Sequence, residues 1–358
     1  MELPCLAFHH RDRSTALFSV SGGHRRIVSG DTDDLLRNKT VCPTAWGLLL
    51  VRDPDTMATF LWNPHDGDQL HLPPLEGVDD AVLMYSHCLL SDKPSASGCV
   101  VLLVEPEDTL IWYCHPGDDN WVKHDYDIGS HVLPHYPDEG IHTTEKHPIC
   151  PIAACRGKFY FNSTSTELGV LEFCPDPVFS SITIDGTIGD EEEGCEDEQE
   201  YDDTIRDEDE EEYDDTIRDE DEEEYKDEDD YYEDEGPSRR TAVFLVGSGD
   251  ELYRVSLLYV APYGDDEIGE GFVEKMDFSE RRWRSVDGLG GRTFLLSQYY
   301  FGASCSGGEC GLQQDCVYVV YARKEMQVFN VKKGTNELQK LDEAPTSGKA
   351  FWLLPAYP

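Results

Sequence analysis

Apolar and aromatic residues in this chain fall in short runs separated by Gly, Pro, Asn or Asp, and the runs come in pairs. Met276-Asp277-Phe278 leads through Ser279-Glu280-Arg281 to Trp283-Arg284-Ser285-Val286. Ala16-Leu17-Phe18-Ser19 leads through Gly22-Gly23 to Arg26-Ile27-Val28, and Thr59-Phe60-Leu61-Trp62 leads through Asp66-Gly67 to Leu70-His71-Leu72. The same device joins Leu110-Ile111-Trp112-Tyr113 to Trp121-Val122, Val170-Leu171-Glu172-Phe173 to Ile182-Thr183-Ile184, and Gln327-Val328-Phe329 to Leu338. Each pair reads as a β-hairpin, because those intervening residues supply turn geometry. From Phe18 to Trp62, Trp62 to Tyr113 and Phe278 to Phe329 the steps are 44, 51 and 51 residues. An all-β repeat of about 40 to 50 residues is the mark of a propeller blade.

The expectation is therefore an all-β chain forming a single β-propeller of six blades, with a β-sandwich as the competing architecture. A seventh blade would follow if Tyr299 to Tyr321 formed a unit of its own. Trp62, Trp112, Phe278, Trp283 and Trp352 are expected to anchor blade interiors. The tail Ala350-Phe351-Trp352-Leu353-Leu354 stands apart from any hairpin. It is expected to pair near residues 5–28 and remove the open sheet edge.

Charge changes the picture in one place. The formal charge is −45, but residues 190–235 hold 31 acidic and 3 basic side chains, leaving net −17 on the other 312 residues. Within that tract Glu200–Glu211 recurs without mismatch at Glu212–Glu223. So dense a run of like charge cannot bury enough apolar surface to fold, so 190–236 is expected to be a disordered insert. It divides the propeller into N-terminal blades, 1–189, and C-terminal blades with the closing strand, 237–358. A solvated spacer is the plainer reading of the tract; a tether for a basic partner such as histone tails is the alternative. Nucleic acid is not expected as a partner, since phosphates are met by clustered Lys and Arg. No secretory signal opens the chain and no apolar run reaches membrane-spanning length, so an intracellular protein, cytoplasmic or nuclear, is expected. Its twelve cysteines are then reduced core residues.

Catalytic chemistry leaves little trace. His131, His135, His142 and His147 lie near Asp138, Glu139 and Glu145, but their spacing fits no compact zinc site, so a solvated loop is expected. Cys305 and Cys310 lack a second pair, and Gly288-Leu289-Gly290-Gly291 opens no helix and cradles no phosphate. No metal, cofactor or catalytic residue is expected. Recognition is expected on long loops, Gly129 to His147 and Gly302 to Asp315, the first offering His131, His135, Tyr136 and His142.

Several short motifs occur in a specific order. Trp62-Asn63-Pro64 is followed by Leu72-Pro73-Pro74-Leu75 and Gly157-Lys158-Phe159-Tyr160. Met276-Asp277-Phe278 with Trp283 leads into Gly288-Leu289-Gly290-Gly291-Arg292-Thr293-Phe294-Leu295, then Cys316-Val317-Tyr318 and Trp352-Leu353-Leu354-Pro355. In this the chain resembles the plant F-box-associated propellers of the KIB type. The resemblance implies a substrate-selecting propeller, in a family whose members commonly carry an N-terminal F-box that docks the adaptor of a cullin ubiquitin ligase. Nothing ahead of Leu6 reads as an F-box, so direct docking to that adaptor is not expected. The expected function is non-catalytic recognition of a still unidentified protein. The alternative is a propeller enzyme acting on a small molecule or carbohydrate through its central channel.

Overall fold

The computed structural model describes residues 3–10, 15–20, 27–28, 35–132, 144–161, 164, 166–185, 240–259, 268–297, 301–320, 325–341 and 349–355. They belong to one compact unit that runs to Gly186 and resumes at Arg239. The acidic tract, 190–236, lies outside the described residues.

Six sheets form the blades of a β-propeller. From inner to outer strand, blade 1 is Lys349–Leu353, Cys5–His9, Thr15–Ser19 and Ile27–Val28. Blade 2 is Thr40–Pro43, Leu49–Arg52, Thr59–Trp62 and Gln69–Leu72. Blade 3 is His87–Leu90, Val101–Val104, Leu110–Cys114 and Val122–Asp125. Blade 4 is Ile152–Cys155, Lys158–Phe161, Glu167–Phe173 and Pro177–Thr183. Blade 5 is Arg240–Ser248, Glu251–Tyr259, Ile268–Asp277 and Arg282–Ser285. Blade 6 has five strands, in the order Phe301–Ser306, Arg292–Ser297, Cys316–Val320, Glu325–Asn330 and Thr335–Lys340.

All six hairpins legible in the sequence are the two outermost strands of a blade. Strands between two neighbouring blades bury both faces and read as continuous apolar runs, as in Val101–Val104. Outer strands face water, and Gln69–Leu72 buries only Leu72. The Trp62-Asn63-Pro64 motif turns between the two kinds. The Asn63 side chain accepts from the His65 amide at 3.0 Å and donates to Asp66 at 2.7 Å, while Gly67 supplies φ +84°. Beyond that turn, the Trp121 indole donates to the Pro73 carbonyl at 2.9 Å and couples the outer strands of blades 2 and 3.

The tail closes the ring as its isolation suggested. Lys349–Leu353 pairs antiparallel with Cys5–His9, placing Leu6 opposite Trp352. Trp352 is 1% exposed; its indole donates to the Leu296 carbonyl of blade 6 at 3.1 Å, and its ring meets Tyr318 edge-on. One residue thus fastens the first blade to the last.

Blade 6 departs from the expectation. Gly302 to Asp315 is not a free loop, and Tyr299 to Tyr321 is not a seventh blade. Phe301–Ser306 is a fifth, innermost strand antiparallel to Arg292–Ser297, which itself runs parallel to Cys316–Val320. Room for it comes from missing side chains. A Cβ on Gly302 would sit 2.8 Å from the Leu245 carbonyl, and one on Gly247 would sit 2.1 Å from that of Ala154. The inner strands of blades 4, 5 and 6 therefore touch backbone to backbone, which no residue but glycine permits at these two points.

Between blades 2 and 3 lies a short helix, α1 (Asp80–Tyr85). Asp79 caps it by accepting from the Ala81 amide at 2.7 Å. Fully buried Arg52 secures the segment leading into it, donating to the Leu75 and Val78 carbonyls at 3.2 and 2.7 Å and to Asp80. The far end of α1 meets the tail strand, for the Lys349 ammonium donates to the Met84 carbonyl. A cation there faces the negative end of the helix backbone.

Next to this contact His87 is buried, and its Nε2 has no hydrogen-bond partner among the described residues. Burial, reinforced by the Lys349 charge, pushes the imidazole down to about 3. The unfolded chain takes up this proton near pH 6.5, which the folded chain refuses until about 3. Stability from this site is therefore complete above about pH 6.5 and declines as pH falls towards 3, by about 1.4 kcal/mol per pH unit at the steepest. His87→Leu should flatten this part of the curve in urea denaturation between pH 4 and 7 (about the span of the shift). A variant with the wild-type slope would show that His87 is already charged in the fold.

Candidate functional site

The inner strands and two of their turns surround a cavity of about 100 Å³ on the propeller axis. Ala45 and Trp46 enter from blade 2, Leu90 from blade 3, Ala153 from blade 4, Ser248 from blade 5, and Arg292 and Ser304 from blade 6. Thr44 sets the blade 2 turn, its hydroxyl accepting from the amides of Trp46 and Leu48 at 3.3 and 3.2 Å. Trp46 then reaches to blade 3, where its indole donates to the Leu90 carbonyl at 3.0 Å. In blade 5, Gly247-Ser248-Gly249 brings the chain to the axis, with Gly249 at φ +59°.

Blade 6 contributes the charge. Arg292 Nε donates to the Ser304 hydroxyl at 2.7 Å, and that hydroxyl lies 2.8 Å from the Ser248 hydroxyl. Both serines are buried, and Arg292 is half-buried. Among the described residues the lining contains no carboxylate and no imidazole. Close by, Tyr253 donates to Glu251 at 2.6 Å, which together with Lys275 holds that carboxyl below its ordinary range. Burial and the same carboxylate push the Tyr253 phenol up. Such a pocket can hold a small polar group, but it presents no paired acid and base.

Of the residues expected in recognition, His131 lies in the short hairpin Ser130–Val132 with Thr144–Lys146, its backbone opposite Glu145. His135, Tyr136 and His142 lie outside the described residues. The base of that excursion is fastened. The Tyr126 hydroxyl donates to the Asp108 carbonyl at 3.1 Å and accepts from the Ile149 amide at 2.9 Å, while the His147 amide donates to Gly129 at 3.0 Å.

Trp62, Trp112 and Trp352 are buried in separate interblade clusters. Phe278 and Trp283 are half-buried between blades 4 and 5, where Arg156 and Arg254 lie over their rings at 4.6 and 4.8 Å. Cys305 and Cys310 are buried in the core between blades 6 and 1. In the Gly288-Leu289-Gly290-Gly291 turn, the Leu289 amide donates to Asp315 at 2.6 Å. Trp46, Ser248 and Arg292 were not expected as site residues, and Ser304 only as part of Gly302 to Asp315. Two signals mark Ser248 and Arg292: Gly-Ser-Gly between two apolar strands, and an arginine opening a mostly apolar one.

A ring of six sheets, sealed by its own tail and carrying a small axial cavity, defines a single-ring β-propeller. The chain belongs to the KIB1-4 beta-propeller family, whose model matches residues 17–330. It is similar to an F-box protein of Arabidopsis thaliana, with 28% identity over 108 residues. That stretch is 29% of this chain and spans about a quarter (26%) of the relative. No helix among the described residues is long and apolar enough to cross a membrane.

Proposed function

We propose that this chain is a non-catalytic recognition propeller that binds a protein at the rim surrounding the axial cavity. The observation that carries the reading is the make-up of that cavity. Five blades bring backbone, one indole, one guanidinium and two hydroxyls to it, and among the described residues none brings a carboxylate or imidazole. Such a lining holds and orients a ligand without supplying groups to move a proton. Blades of paired strands hold their turns rigidly, which suits recognition by loops. The relative named as an F-box protein and the membership in the KIB1-4 beta-propeller family agree with a receptor role.

The test is affinity purification with the tagged full chain and quantitative mass spectrometry, followed by binding of the recovered protein to purified chain. A direct partner lost on substitution of rim residues, with the denaturation midpoint unchanged, is the expected result. Turnover of a carbohydrate or other small molecule, abolished by one substitution in the channel, would overturn the reading in favour of a propeller enzyme. A cullin-ligase adaptor recovered at stoichiometric yield would instead overturn the expectation of no direct docking to it.

A further inference from the structure

We propose that the axial cavity is a carboxylate-binding site anchored by Arg292. The site itself stands on its geometry; assigning its carboxylate to a protein partner rests on the recognition reading above. Arg292 is held at one edge only, through Nε and the Ser304 hydroxyl at 2.7 Å. Its two terminal nitrogens have no partner among the described residues. A half-buried guanidinium usually meets an acid, since taking a charge from water is costly without a counter-charge. The rest of the lining, including Trp46, Ala153, Gly247 and Gly302, carries no formal charge.

The number and shape of the groups select the ligand. One guanidinium balances one negative charge, and its planar fork matches the two oxygens of a carboxylate in a bidentate pair. A phosphate dianion would keep one charge uncompensated in this cavity. Ser248, whose hydroxyl lies 2.8 Å from that of Ser304, places another polar hydrogen close to the same oxygens. A volume of about 100 Å³ admits a carboxylate with the adjoining carbon atoms. It is well below the roughly 300 Å³ at which pockets for drug-sized molecules begin. Trp46 supplies an apolar wall for those carbons and an indole that reports on their arrival.

The test titrates sodium acetate into the full chain at constant ionic strength, with chloride as the balancing anion and tryptophan emission as the readout. A saturable response is expected, lost in Trp46→Phe and weakened at least tenfold by Arg292→Gln. Arg292→Lys, which keeps the charge and loses the fork, should fall between wild type and Arg292→Gln; if the glutamine variant does not fold, the lysine variant carries the comparison. The same titration with the capped peptide acetyl-Gly-Asp-Gly-amide distinguishes the sources. Binding at least tenfold tighter than acetate points to an acidic side chain of a protein partner, and equal or weaker binding points to a free small carboxylate. Phosphate binding as tightly as acetate, an unaltered response in both Arg292 variants, or no saturable response in wild type would overturn the assignment. Acetate binding in a chain that captures no protein would sink the recognition reading and leave the site standing.

Discussion

Trp352→Ala should lower the stability of the propeller by about 3–5 kcal/mol, the range for emptying a buried aromatic site. Its indole is 1% exposed, packs with Leu6, Phe18 and Tyr318, and donates to the Leu296 carbonyl. The substitution opens a cavity at the seam and leaves that carbonyl without its donor. Because the seam joins strands from opposite ends of the sequence, no other blade contact substitutes for it. Trp352→Phe should recover most of the packing but not the hydrogen bond, and so fall between the two. The measurement is the urea midpoint by tryptophan emission and by far-ultraviolet circular dichroism in parallel. A midpoint equal to wild type would mean that the tail strand is not what holds the ring shut.

Arg52→Met should have an effect of similar size, about 3–5 kcal/mol, for an electrostatic reason. Methionine matches the stem of the arginine and not its donors. The Leu75 and Val78 carbonyls then lose their hydrogen bonds, and Asp80 loses its cation. Asp80 is 28% exposed and also accepts from Thr40 at 2.9 Å, so water and that hydroxyl moderate its share. Asp80→Asn should therefore cost clearly less than Arg52→Met. Equal losses in the two variants would locate the stabilisation in the ion pair and not in the carbonyls. Either way the approach to α1 should loosen first, visible as faster amide exchange over residues 75–86.

The outer hairpin of each blade and the closing tail strand were legible in the sequence, while the other innermost strands were not. Third and fourth strands differ sharply in burial, as Thr59–Trp62 and Gln69–Leu72 do, and the turn between them is rich in Asn, Asp and Gly. Inner strands such as His87–Leu90 are short, and nothing polar alternates along them to set a period. Phe301–Ser306 escaped for a different reason. Its small residues, Gly302 to Cys305, read as a loop, yet Gly302 is a glycine because the Leu245 carbonyl lies against it. Helix α1 has six residues, too few for a helical period to show. The axial site was illegible because no stretch contains it: Trp46 and Arg292 line one cavity only once blades 2 and 6 are arranged about the same axis. The family resemblance, by contrast, rested on short contiguous motifs, and those are visible in order along the chain.

The pairing of Leu6 with Trp352 also sets a clock for synthesis. At roughly 5–20 residues per second, a ribosome needs about 20–70 s to supply the strand that completes the first blade. Through that interval Cys5–His9 presents an unsatisfied edge to other nascent chains and to chaperones. The five blades after it acquire their strands locally and in turn, so folding proceeds towards a final event at the seam. Proteolysis of ribosome-bound chains stalled before residue 349 should therefore release the N-terminal strands while sparing blades 2 to 4.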